Sequence, residues 1–138
     1  MVSTVETMVH ALASAHRSGR VANAADLAAL DVSIGEAYAV QAGTVIALAE
    51  GVGGWKAGFG PDGEPVAAPM LASTVEAHGA RIALPPDRSV LLEIEIALRL
   101  ARDLPPRPER PYTRGEIEDA IDVALAGAEI LAPRGGMP

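Results

Sequence analysis

Two carboxylates on an apolar strand are the sharpest chemical feature of this chain. In SVLLEIEIALRL, Ser89 to Leu100, the residues Val90, Leu92, Ile94, Ile96, Leu98 and Leu100 form an unbroken apolar set at period two. Leu91, Glu93, Glu95, Ala97 and Arg99 stand between them. Successive side chains of a strand point to opposite faces, so Glu93 and Glu95 project side by side. Adjacent carboxylates repel, and a hard divalent cation with oxygen ligands offsets that repulsion. A solvated face of an amphipathic strand gives the same pattern, because such strands routinely carry Glu outward. Spacing alone leaves both readings open.

Lys56 is the second candidate. It is the only lysine, and the other ten of the eleven basic residues are arginine. It lies in GGWKAGF, next to the only Trp and near the only Phe. Lysine offers a compact ammonium with a readily shifted pKa, which arginine does not. Trp55 and Phe59 are expected to desolvate it, and the glycines to let a ligand approach the backbone; a surface lysine beside a loop is the plainer alternative. Other motifs carry less. GFGPDG, Gly58 to Gly63, matches G-x-G-x-x-G, but Pro61 breaks the loop and EPVAAP cannot open the helix that would hold a pyrophosphate. His10, His16 and His78 form no recognisable site and read as structural. No nucleophile elbow supports Ser/His/Asp catalysis.

The elements that must position these residues are marked by local chemistry. Ser3 with Glu6, Ser33 with Glu36 and Thr113 with Glu116 are three S/T-x-x-E capping boxes, each predicting a helix start. The first helix carries Val5, Met8, Val9 and Leu12 on one face and should stop at Ser18-Gly19. A short helical stretch is expected over NAADLAAL. The Ser33 box opens a helix with Ile34, Tyr38, Val45 and Leu48 on one face and Gly51 as its stop. The Thr113 box opens RGEIEDAIDVALAG, with Ile117, Ile121 and Leu125 as the apolar stripe. GARIAL reads as a short strand, GAEIL as the start of another, and Pro61-Asp62-Gly63 as a turn. RDLPPRPERPYT contains P-x-x-P but reads as a connector. Helices first, then strands with one more helix, predict an α+β protein.

The bulk numbers exclude several function classes. At 138 residues the chain makes one domain at most, with 49% hydrophobic and 21% charged residues. A net charge of -7, no basic cluster and only four aromatic residues (one Trp, one Phe, two Tyr) argue against nucleic acid and anionic membranes. The absence of cysteine excludes disulfides, thiolate nucleophiles and Cys-ligated zinc. No signal peptide is visible, and the longest uncharged stretch, Ala37 to Ala49, is too short to span a bilayer. A cytoplasmic protein is expected.

The order of several motifs carries a resemblance. DVSIGEAYAVQ, then GGWKAGF, EPVAAPMLASTVEAHGARIAL, LEIEIALRLARDLP and AGAEILAPR resembles the 2-keto-4-pentenoate hydratase family, in the fumarylacetoacetate hydrolase superfamily, which includes the 4-oxalocrotonate decarboxylases. The most specific parts are A-Y-x-V-Q, G-W-K, and E-x-E followed by A-R-D-L-P. The likeness covers about the first half of a family member. It therefore implies N-terminal helices over residues 1–51 and, over 52–138, part of a mixed β catalytic core of fumarylacetoacetate-hydrolase type, truncated. It further implies that Glu93, Glu95 and Glu129 ligate Mg2+ or Mn2+ and that Lys56 lines the active site. The metal would chelate the carboxylate and 2-oxygen of a 2-hydroxy-2,4-dienoate or 2-oxo acid in aromatic-compound catabolism, for hydration by a hydro-lyase or for decarboxylation of a 2-oxo dioic acid. The chain departs from the family pattern at Val66-Ala67-Ala68 and at Ala132-Pro133. Those departures and the half-length keep a third expectation open: a non-catalytic partner of a full-length homologue. A homo-oligomer, or a partner supplying the missing half, is expected.

Overall fold

The computed structural model describes residues 2–22, 27, 31–84, 86 and 89–131. It is a mixed α+β protein: among the described residues, three helices and two antiparallel strand pairs. These fall into two compact units, one running to Ala83 and the other beginning at Leu84.

In the first unit, α1 (Thr4–Ser18) and α2 (Ile34–Leu48) start as the capping boxes require. Ser3 Oγ accepts from the Glu6 N–H at 3.2 Å, and Glu6 Oε2 accepts from the Ser3 N–H at 2.8 Å. Ser33 and Glu36 repeat this exchange at 3.3 and 2.9 Å. Each box satisfies amide donors that have no partner within the helix. Gly19 ends α1 in the left-handed conformation at φ 64. The stop of α2 is Ala49 at φ 55, not Gly51. Gly51 is engaged elsewhere: its carbonyl accepts from the Ala72 N–H at 2.8 Å, so the helix must end before it.

The face on which α2 packs also differs from expectation. Val40 is buried, whereas Ile34 is 66% exposed. Ala39, Gly43 and Ala47 recur every fourth residue and line a groove with Val5, Val9 and Ala13 of α1. A Cβ at Gly43 would stand 2.7 Å from Val9 Cγ2, so the helices approach through a missing side chain. The expected helix over NAADLAAL lies outside the described residues except for Leu27.

β1 (Val52–Phe59) and β2 (Pro65–Leu71) form a hairpin where the sequence shows a glycine-rich run. The Pro61-Asp62-Gly63 turn joins them: Gly63 takes φ 81, and Glu64 N–H donates to Asp62 Oδ1 at 3.1 Å. β2 leads into a 3-10 turn at Ala72–Thr74. GARIAL is not a strand; Ile82 and Leu84 are each 52% exposed, and without a pairing partner an extended segment gains no ladder hydrogen bonds.

The second unit is one long pair, β3 (Leu91–Leu100) with β4 (Ile121–Leu131), joined through a proline-rich connection and a short helix α3 (Arg114–Glu118). The Thr113 box is present, but it caps a single helical turn. Ile121 and Leu125 belong to β4, not to a helical stripe. Full-length pairing with β3 overrides the helical spacing, and β-branched Ile121 and Val123 suit a strand.

The connection folds on itself. Tyr112 donates to Pro105 O at 2.7 Å, and the Arg107 guanidinium lies 3.9 Å above the Tyr112 ring. Arg107 and Arg110 both reach Glu116 at 2.8 Å, while Glu116 also accepts from the Thr113 N–H. Across the base of the pair, Ala101 N–H donates to Ala120 O at 2.8 Å, and Ala120 is fully buried.

Glu6, Glu36, Glu50 and Glu116 are held below the ordinary carboxylate value of 4.5. The cause is the cap amide for Glu6 and Glu36, the Ser73 hydroxyl for Glu50, and above all Arg110 for Glu116, which lies far below the usual range. A carboxylate depressed by folding stabilises the fold above its unfolded value and loses that contribution as pH falls through its folded one. The urea midpoint should therefore hold steady above about pH 5 and decline below about pH 4.5. Glu116→Gln should flatten part of that decline and increase protease cleavage between residues 101 and 113; an unchanged acid profile would remove Glu116 from this role.

Candidate metal centre

Register decides what the three glutamates can do. Glu93 stands directly opposite Glu129 across the β3–β4 ladder, and Glu95 lies two residues along β3, opposite Gly127. Residues directly opposite share a face, and i and i+2 share a face, so all three carboxylates project together. One carboxylate oxygen from each lies within 4.8 Å of the others. Glu93 is exposed; Glu95 and Glu129 are half-buried.

Like charges directly opposite one another repel, and a cation placed between carboxylates offsets such repulsion. The donor set is oxygen only, which selects hard ions such as Mg2+, Mn2+ or Ca2+. Bonds of about 2.0–2.6 Å to one ion span the observed oxygen separation after small side-chain rotations. The residues present therefore fit a divalent metal with three protein oxygens and further positions for water or a ligand.

The same face carries Arg99, whose Nε donates to Asp122 Oδ2 at 2.8 Å. Asp122 is the extra residue of a bulge: Arg99 opposes Val123, while Leu100 opposes Ile121. The reverse face holds Leu92, Ile94, Ile96, Leu98 and Leu100 with Ala124, Ala126, Ala128 and Ile130. That apolar back is exposed, Ile96 to 83% and Ile94 to 74%.

Lys56 lies on β1, in the first unit, opposite Ala68 and half-buried. Strand alternation corrects one expectation about it. Trp55 and Phe59 project to the other face of β1, where they are 64% and 79% exposed, so they do not wall the ammonium. The glycines mostly serve packing: a Cβ at Gly53 would meet Ala72 Cα at 2.8 Å, and one at Gly54 would meet Met70 Cε at 2.7 Å. Gly58 alone of these faces open space. The G-x-G-x-x-G match begins at the end of β1 and ends in the hairpin turn, before β2 starts at Pro65.

Two other functional-looking groups emerge only in three dimensions. His16 Nε2 lies 3.4 Å from Glu50 Oε1, and Ser73 Oγ donates to Glu50 Oε2. The hydroxyl bonds the carboxylate and not the imidazole, so this is a clasp between α1, the end of α2 and the 3-10 turn, with no activated nucleophile. Tyr38 Oη accepts from the Ala67 N–H at 3.4 Å, covering an amide at the outer edge of β2. Neither pairing has a local sequence signal, since each joins residues far apart in the chain.

Glu129→Gln removes one of two opposed charges while keeping the side-chain shape. Without divalent metal its melting temperature should equal or exceed that of the parent. With Mn2+ at a hundredfold its dissociation constant, the parent should gain about 2.7 kcal/mol and the variant far less. Equal gains would remove Glu129 from the ligand set. No helix among the described residues is long and apolar enough to cross a membrane. Compared with protein-family models, curated proteins and solved structures, the chain matches none.

Proposed function

We propose that this chain holds Mg2+ or Mn2+ on Glu93, Glu95 and Glu129 and serves in the hydration of a 2-hydroxy-2,4-dienoate through its 2-oxo-enoate tautomer. One observation carries the reading: three residues that motif order singles out, one of them far along the chain from the other two, have carboxylate oxygens within 4.8 Å of one another. The motif resemblance supplies the reaction, and the oxygen-only donor set agrees with the metal class it implies. When bound, the cation supplies positive charge beside the substrate carboxylate and 2-oxygen.

The chain's own residues would divide the remaining work. The three glutamates hold the ion and set which of its positions stay open. Addition of water places a hydroxyl on the carbon β to the oxo group and a proton on the α carbon, one water consumed in total. Lys56 is assigned that proton movement on the resemblance, as an amine whose charge state is readily tuned.

Calorimetric titration with Mn2+, then with oxalate as a mimic of the enolised 2-oxo acid, tests the metal half of the proposal. Saturable Mn2+ binding should disappear in Glu95→Gln with helical content retained; unchanged affinity would defeat the assignment. Turnover of 2-hydroxypenta-2,4-dienoate to a hydroxy-oxo acid tests the reaction. Carbon dioxide released from 4-oxalocrotonate instead would point to a decarboxylase. Lys56→Met should keep Mn2+ affinity and lose turnover, and full turnover would make Lys56 a bystander.

A further inference from the structure

The apolar back of the β3–β4 pair has a shape as well as a composition. Across the ladder its residues pair large with small: Ile94 stands opposite Ala128, Ile96 opposite Ala126 and Leu98 opposite Ala124. Each larger residue is on β3 and each alanine on β4, so a ridge runs along one strand and a groove along the other. The ridge is bare, with Ile96 83%, Ile94 74% and Leu98 53% exposed. Large meets large only at the two ends, Leu92 with Ile130 and Leu100 with Ile121, and both β4 residues there are half-buried. No charged or polar side chain interrupts this face between Leu92 and Leu100. Its exposed residues present on the order of 700 Å2, close to the ~800 Å2 that each partner contributes to a standard stable interface.

We infer that this face is the interface of a homodimer, in which a second copy of the chain lays its own β3–β4 back against it. The occupant follows from the shape. A two-fold axis parallel to the strands, midway between two facing ribbons, places the β3 ridge of each copy over the β4 groove of the other. Rotation about that axis keeps each residue at its height along the strand, so Ile96 meets the partner subunit's Ala126. A two-fold axis across the strands would set ridge on ridge, and the same shapes exclude it. Two ribbons packed this way form the two-layered core that a single two-stranded ribbon lacks. Back-to-back packing also turns the Glu93, Glu95 and Glu129 faces of both copies outward, so a chain of net charge -7 associates through a surface that carries no charge. The inference is independent of any bound metal.

Sedimentation equilibrium of the full chain, without added metal, tests this. The parent should show a closed monomer–dimer equilibrium, its mass levelling at twice the 14.2 kDa of the chain. Ala126→Ile fills the groove and should weaken dimerisation about tenfold or more, although it makes the face more apolar and improves strand propensity. Ile96→Ala removes part of the ridge and should weaken it as well. The double variant Ile96→Ala/Ala126→Ile exchanges ridge and groove at that height in both copies, and should recover affinity to within about threefold of the parent. Leu125→Ala, on the carboxylate face, should leave the equilibrium unchanged. A parent that stays monomeric at every concentration would overturn the inference, whether the face is then covered by another part of the chain, by a different protein or by nothing. So would a mass that keeps rising beyond the dimer, tighter association in Ala126→Ile, or no recovery in the double variant.

Discussion

The register of β3 against β4 is the constraint on which everything proposed for this protein depends. Because side chains alternate, a slip of one residue would send Glu129 to the apolar back and leave Glu93 and Glu95 without a third oxygen. It would also replace Gly127 opposite Glu95 by Ala126 or Ala128. Contacts outside the patch also hold this ladder in place.

The end of the pair near the connection supplies that hold. The Ala101 N–H donates to the Ala120 carbonyl where the strands leave the ladder, and Ala120 has no exposed surface. The Asp122 bulge absorbs one residue of β4, and its carboxylate takes the Arg99 guanidinium. Beyond it, Glu116 gathers Arg107, Arg110 and the Thr113 cap into one cluster, and Tyr112 ties down Pro105. Exposed ion pairs taken singly contribute little, but here several share one carboxylate and close a long connection. The proline-rich run thus acts as a brace for the register, with Arg107, Arg110 and Tyr112 engaged internally.

The two faces of this strand pair pose opposite physical problems. One gathers the carboxylates of Glu93, Glu95 and Glu129. The other leaves Leu92, Ile94, Ile96 and Leu98 more than half exposed, a contiguous apolar strip of the kind that soluble surfaces rarely leave bare. Among the described residues only Ala13, Ala15, Val40, Leu71 and Ala120 are buried apolar groups. A two-stranded ribbon is marginal by itself, so its stability is sensitive to what contacts either face.

The amino-acid sequence by itself determined the features whose physics spans three or four residues. The capping boxes at Ser3, Ser33 and Thr113 start helices because their hydrogen bonds lie within one turn. The Pro61-Asp62-Gly63 turn and the alternation that puts Glu93 beside Glu95 are equally local. Position 129 was legible only through motif order, because nothing around AGAEIL states which residue it will oppose. Tertiary structure decided the rest. Pairing with β3 turned residues 121–127 from an expected helix into strand, running on into the strand expected at GAEIL, and the want of a partner left GARIAL outside any sheet. Packing of Val9 on Gly43 chose the buried face of α2, and the Ala72–Gly51 hydrogen bond set its end at Ala49. Long-range register alone brought the third carboxylate beside the other two.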